Sequence, residues 1–143
     1  MGDGMEKLQT RKRPVGVWII TVYFAISIPF VIFSLFAVLS NQIPLDAVQA
    51  GYIASMAPLD FTATAVIAIC NLLGAVSLFR LRKAALTFFT ASVAINIALT
   101  IWHIIAKGFV AVVGGALPIV LGFALLLAII AYTAHLARKR VLQ

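Results

Sequence analysis

The sequence predicts an all-α fold: a four-helix transmembrane bundle with a short amphipathic segment between spans one and two. Three observations predict it. Four uncharged or nearly uncharged apolar stretches are each long enough to cross a hydrocarbon layer, which takes about 20 helical residues. Of the 143 residues, 64% are hydrophobic and 10% charged, where a soluble domain has about 45–50% apolar and about 25% charged residues. The basic residues gather at the ends of the apolar stretches, where membrane proteins place them.

The same charge distribution decides between two kinds of partner. Eleven Lys and Arg against four acids give a formal charge of +7, which in a soluble chain would point to nucleic acid. Here the cations flank apolar spans, so anionic lipid headgroups account for them, and the bilayer rather than a nucleic acid is the expected partner. The single cysteine, Cys70, lies inside an apolar stretch. It cannot form an internal disulfide or a CxxC zinc site, and a buried thiol of this kind behaves as a small hydrophobe.

Taken in order, residues 1–14 form a basic tail with Lys7, Arg11, Lys12 and Arg13. Gly2 follows Met1, but Glu6 breaks the myristoylation pattern. Span one covers about 15–39. Its uncharged run is longer than the apolar region of a signal peptide, about 7–15 residues, so it is read as a retained span. Trp18 and Tyr23 suit an interface near its basic end, and Pro29 is expected to kink it or free a carbonyl. Residues 40–57 contain no Lys or Arg. A helix beginning at Pro44, with Asp46 in its first turn, would put Leu45, Val48, Tyr52, Ile53 and Met56 broadly on one face. Such a segment would lie on the membrane surface.

Span two covers about 58–79 and starts with Pro58. Arg80, Leu81, Arg82 and Lys83 form a basic hinge too short to permit anything but an antiparallel pairing with span three, about 84–106. Span four covers about 109–134. Its Gly114, Gly115 and Pro118 can distort or delay its start. A second basic tail, 138–143, follows a single membrane domain assigned to 15–137. Ten of the eleven basic residues fall at one end of these spans, with Lys107 alone at the other. The positive-inside rule then places both termini and the hinge in the cytoplasm, with Arg80, Arg82 and Lys83 as the topology-setting cluster.

Few polar residues reach span interiors, and these are the candidates for function. Asn71 and Asn96 lie near the middles of spans two and three, with Thr100 one turn beyond Asn96. Paired amides would hold helices together; a polar patch for a solute is the functional alternative. Asp60 falls in the first turn of span two, where the helix dipole and interfacial water would favour it. His103 lies near the end of span three, next to Trp102. Both are outer-face candidates that matter chemically only if they meet. His135 lies at the opposite end of span four from His103, so the two histidines cannot ligate one metal within a chain. Gly114, Pro118 and Gly122 fall four apart, as do Ala94 and Ala98, giving strips on which another helix can approach closely. There is no phosphate loop, HExxH or GxSxG. No catalytic residue, cofactor or metal ligand is expected.

The run Arg13-Pro14-Val15-Gly16-Val17-Trp18-Ile19-Ile20 resembles the opening of many small prokaryotic membrane proteins, in which Arg-Pro-x-Gly-Val/Ile leads into the first of about four spans. The resemblance implies an inner-membrane protein of a bacterium or archaeon and brings no activity with it. The function expected from the residues is that of an accessory or self-associating membrane protein, a homo-oligomer or part of a larger complex. The alternative is a small-solute channel or carrier formed as an oligomer and lined by Asn71, Asn96 and Thr100. A membrane enzyme comes last.

Overall fold

The structure, a computed structural model, describes residues 13–142. Most of the basic tail assigned to residues 1–14 therefore lies outside the described residues. Six helices follow in order: α1 Val15–Leu39, α2 Ala47–Ala54, α3 Pro58–Phe79, α4 Ala84–Lys107, α5 Phe109–Val112 and α6 Ala116–Arg138. The described residues contain no strand. α1, α3, α4 and α6 are long and apolar enough to cross a membrane, and α2 supplies the short segment expected between the first two. The chain is an all-α bundle with the composition and helix lengths of a multi-pass membrane protein.

Local chemistry ends these helices in a common way. At the hinge, Leu81 adopts a left-handed φ of 56°, the Arg82 N–H bonds to the Ser77 carbonyl at 2.8 Å, and the Leu81 N–H bonds to the Leu78 carbonyl at 2.9 Å. This is the Schellman arrangement, which usually recruits glycine. A leucine tolerates it here because its side chain packs against the core. Asn41 and Arg140 end α1 and α6 with the same pair of bonds. Pro29 leaves α1 continuous across Val15–Leu39.

Two starts differ from the expected ones. α2 begins at Ala47, with Asp46 as its cap rather than in its first turn. The Asp46 carboxylate accepts the Gln49 N–H at 2.7 Å, and the Gln49 side chain accepts the Asp46 N–H at 3.4 Å. That reciprocal capping box satisfies two otherwise orphaned donors, which a start at Pro44 would not. The fourth span is broken: α5 stops at Val112, and Gly114 and Gly115, at φ 76° and 124°, turn the chain before α6 starts at Ala116. Gly114 is thus off the helix that carries Pro118 and Gly122, so the three do not form one strip.

α1 packs chiefly on α3, α3 on α4, and α4 on α6. The hinge end of this row is closed. The Trp18 ring meets Phe79 edge-on at 5.1 Å, and the Arg13 guanidinium lies 3.9 Å from the centre of the Phe79 ring, so α1 starts beside the hinge. α6 ends there too. Gly16 of α1 lies against Tyr132 of α6 so closely that a Cβ would collide with the ring. The buried core, including Val17, Phe24, Leu78, Phe89, Ile129 and Leu142, fills this half of the bundle. Its centre is Phe89, 1% exposed and stacked on Phe24 at 5.5 Å. Phe89→Ala is expected to cost about 3 kcal/mol through the void it leaves, measured as a shift in unfolding free energy in detergent. The far half is built differently, and it holds the candidate site.

Candidate functional site

Two features share the far half: a chain of polar side chains at the end of the bundle and a cavity below it. The chain starts with Asp60, in the first turn of α3 and 4% exposed. Its Oδ2 accepts the Ala57 N–H at 2.8 Å, which satisfies an orphan donor at the helix start. The same oxygen accepts from Lys107 Nζ. Its other oxygen, Oδ1, lies 3.1 Å from His103 Nε2. His103, 5% exposed, meets the Tyr52 hydroxyl through Nδ1 at 2.7 Å.

The chemistry of the partners sets the proton positions. An ionised carboxylate only accepts, so His103 Nε2 carries the hydrogen. In the neutral ring Nδ1 is then an acceptor, and Tyr52 donates to it. Phe109 closes the group from the side, its ring 5.5 Å from Tyr52 and 6.1 Å from His103. Four elements thus meet here: α2 through Tyr52, α3 through Asp60, α4 through His103 and Lys107, and α5 through Phe109.

Asp60 and His103, separately placed near helix ends by the sequence, do meet. Asp60 does sit in the first turn of α3 and accepts an N–H at the helix start, as expected, but in place of interfacial water its buried carboxylate is balanced by Lys107 and His103. Nor is His103 a plain interface residue beside Trp102, since Trp102 is 57% exposed while His103 points inward. Tyr52 and Lys107 had no assigned part in this group. Lys107 is four residues after His103 and shares its helix face, a spacing that could have flagged it. Tyr52 could not be found that way, because only the fold of α2 brings it over α4.

A carboxylate, an imidazole and a hydroxyl in hydrogen-bonded series also occur in hydrolytic triads, where the last hydroxyl is made more nucleophilic. Here the trend runs the other way. Burial, and secondarily the Asp60 charge, push the Tyr52 phenol above its ordinary value of 10.0, which opposes formation of a phenolate. The group reads as a latch that fastens α2 to the bundle. The sign for stability follows. The folded state holds the phenol proton more tightly than the unfolded chain, so this contribution is fully present below pH 10 and is lost as pH rises through the higher folded value. Tyr52→Phe removes the hydroxyl and should flatten that part of the alkaline unfolding curve, measured by pH titration of the folded fraction.

Beneath the latch, α1, α3, α4 and α6 border an open-sided cavity of about 700 Å³, within the range of about 300–1,000 Å³ usual for ligand pockets. Phe109 lines it from above, so one ring touches both features. Its walls are mostly aliphatic and aromatic, but Asn71, Asn96 and Thr100 all line it. At 1.5 Å per residue from the hinge ends of their helices, they lie about 12, 18 and 24 Å deep. Ser27 of α1, a lining residue that the sequence reading passed over, lies about 18 Å deep on the same count. A small hydroxyl in the middle of span one was its only signal.

The amides do not satisfy one another. Asn71 Oδ1 is buried and has no hydrogen-bond partner, while Asn96 Oδ1 accepts the Thr100 hydroxyl at 3.1 Å. Pro118 and Gly122 line the cavity as well, so this part of the small-residue strip borders open space within the chain. Ala94 and Ala98 lie on the exposed side of α4. His135 is exposed near the hinge end. Arg80, Arg82 and Lys83 remain at the hinge, none of them buried. Among the described residues, no three His, Cys, Asp or Glu side chains cluster as a metal would need.

Comparison with family models, with curated proteins and with solved structures finds no match to this chain.

Proposed function

We propose that this integral membrane protein binds a small, largely apolar solute in the cavity of a single chain, as a carrier or a lipid-handling protein does. One observation carries the reading: Asn71, Asn96 and Thr100, within the span region, line one largely apolar cavity, and one of their acceptors, Asn71 Oδ1, is unpaired. An unsatisfied polar atom at that depth is costly where no water reaches, and a bound solute with a donor would satisfy it. The proposal keeps the residues of the carrier alternative but needs no oligomer to form the binding space. Saturable binding of an apolar fluorescent probe to the purified chain in detergent tests it. The expected result is one probe per chain; binding that rises without saturation would show only partition into the micelle and would sink the proposal.

A second reading, self-association or packing in a larger complex, is favoured by Ala94 and Ala98, which are exposed on one face of α4. Small residues there let a second helix approach closely. The two readings are compatible, because the exposed side of α4 is not the side that lines the cavity. We read the hinge end as cytoplasmic and the membrane as the inner membrane of a prokaryote, on the strength of the basic residues at that end and of the Arg-Pro-x-Gly-Val opening. No catalytic step forms part of the proposal.

A further inference from the structure

We infer that the cavity takes an uncharged amphiphile: one hydroxyl head held between Asn71 and Asn96, whose amide is oriented by Thr100, with an apolar chain leaving between α1 and α6 into the lipid. This rests on the cavity-binding reading above and names the class of its ligand.

The lining decides the charge of the head. It includes no Asp, Glu, Lys, Arg or His. The charges nearest in the fold, Asp60 and Lys107, are already paired with each other at the far end. A charged head drawn to the depth of Asn71 would lose its hydration with no counter-charge to replace it. A phospholipid headgroup therefore stays at the surface. A neutral hydroxyl meets what it needs: Asn71 Oδ1 accepts its proton, and the NH₂ group of Asn96, whose oxygen accepts from Thr100, donates to its oxygen.

The walls decide the shape of the rest. α1 and α6 close on each other at Gly16 and Tyr132, but in the far half both border the cavity. The lining residues Val31 and Ile32 of α1, and Pro118 and Gly122 of α6, are exposed. That seam is a side opening bounded by apolar side chains. The end toward water is different: Phe109 lies over the cavity and is itself held beneath Tyr52 and His103. A ligand entering through that seam passes only apolar groups, while toward the far end Phe109 stands between the cavity and the latch.

Photolabelling of the full-length chain in nanodiscs tests the class. Three diazirine probes of equal length are used: a long-chain alcohol, the corresponding fatty acid at a pH where it is ionised, and the corresponding hydrocarbon. The expected result is saturable labelling of α1 and α6 lining residues by the alcohol, with the anion and the hydrocarbon at least about ten-fold weaker, the ratio that about 1.4 kcal/mol of head recognition produces. Asn71→Leu with Asn96→Leu should remove the preference for alcohol over hydrocarbon. Hydrocarbon labelling at the same peptides in that variant serves as the check that the cavity has survived. Equal labelling by the anion, or equal labelling by the hydrocarbon in the unaltered chain, overturns the ligand class while cavity binding stands. Saturable labelling by none of the three overturns both.

Discussion

Asp60→Ala is expected to unfasten α2 and to lower the unfolding midpoint more than any other single change at the far end. The carboxylate ties the start of α3, through the Ala57 N–H, to α4, through Lys107 and His103. Its removal strands the Lys107 ammonium, whose side chain is 10% exposed, in a site that no longer offsets its desolvation. Breaking one side of a buried pair costs more than the pair contributes, because the remaining charge is left alone. Adding Lys107→Met to Asp60→Ala should therefore recover part of the loss. Tyr52→Phe, which leaves only His103 Nδ1 without its donor, should cost about 1–3 kcal/mol and rank below Asp60→Ala. Thermal unfolding in detergent gives the order, and limited proteolysis of the segment around α2 reports the detachment. If Asp60→Ala melts with the unaltered protein and α2 stays protected, the latch does not hold α2.

Gly122→Trp is expected to abolish probe binding, with at least about a ten-fold loss of affinity, while leaving the bundle folded. Gly122 lines the cavity, and a Cβ built there meets no atom within 4 Å. The added ring can occupy empty space instead of forcing packed helices apart, as it would at Gly74, where a Cβ would come within 2.7 Å of Phe89. The matched control is Ala94→Trp on the exposed side of α4. It should leave probe binding unchanged and should weaken crosslinking between copies if that face is where they meet. The pair thus separates the cavity reading from the association reading by titration and crosslinking on the same preparations. Unchanged binding in Gly122→Trp, with an unchanged unfolding midpoint, would locate the probe elsewhere.

The two halves of the bundle differ in how far they could be read in advance. The hinge half follows from local signals. Arg80, Arg82 and Lys83 between two apolar runs require a tight antiparallel pair, and basic residues at both tails call for helix ends on the same side. The far half depends on contacts between residues distant in sequence. Tyr52 and His103 are 51 positions apart, and Asp60 and Lys107 are 47 apart. Nothing in their spacing ties them together. Asp46 as a cap was legible, since Asp-Ala-Val-Gln carries the capping-box pattern, but a proline two residues earlier offered a competing start.

For this protein, hydrophobic runs and charge placement alone give four helices long and apolar enough to cross a membrane and the tight hinge between the second and third, because the membrane's demand for satisfied backbone and solvated charge acts residue by residue. Whether two mid-span amides bind each other or border an open space is not a property of either residue. It depends on α1 and α6 meeting at Gly16 and Tyr132 and then bordering a common cavity, beside which Asn71 Oδ1 has no partner. Only the tertiary structure decides that, because in lipid the helices associate through side-chain packing and hydrogen bonds between them, and no burial of oily surface from water dictates which faces must close.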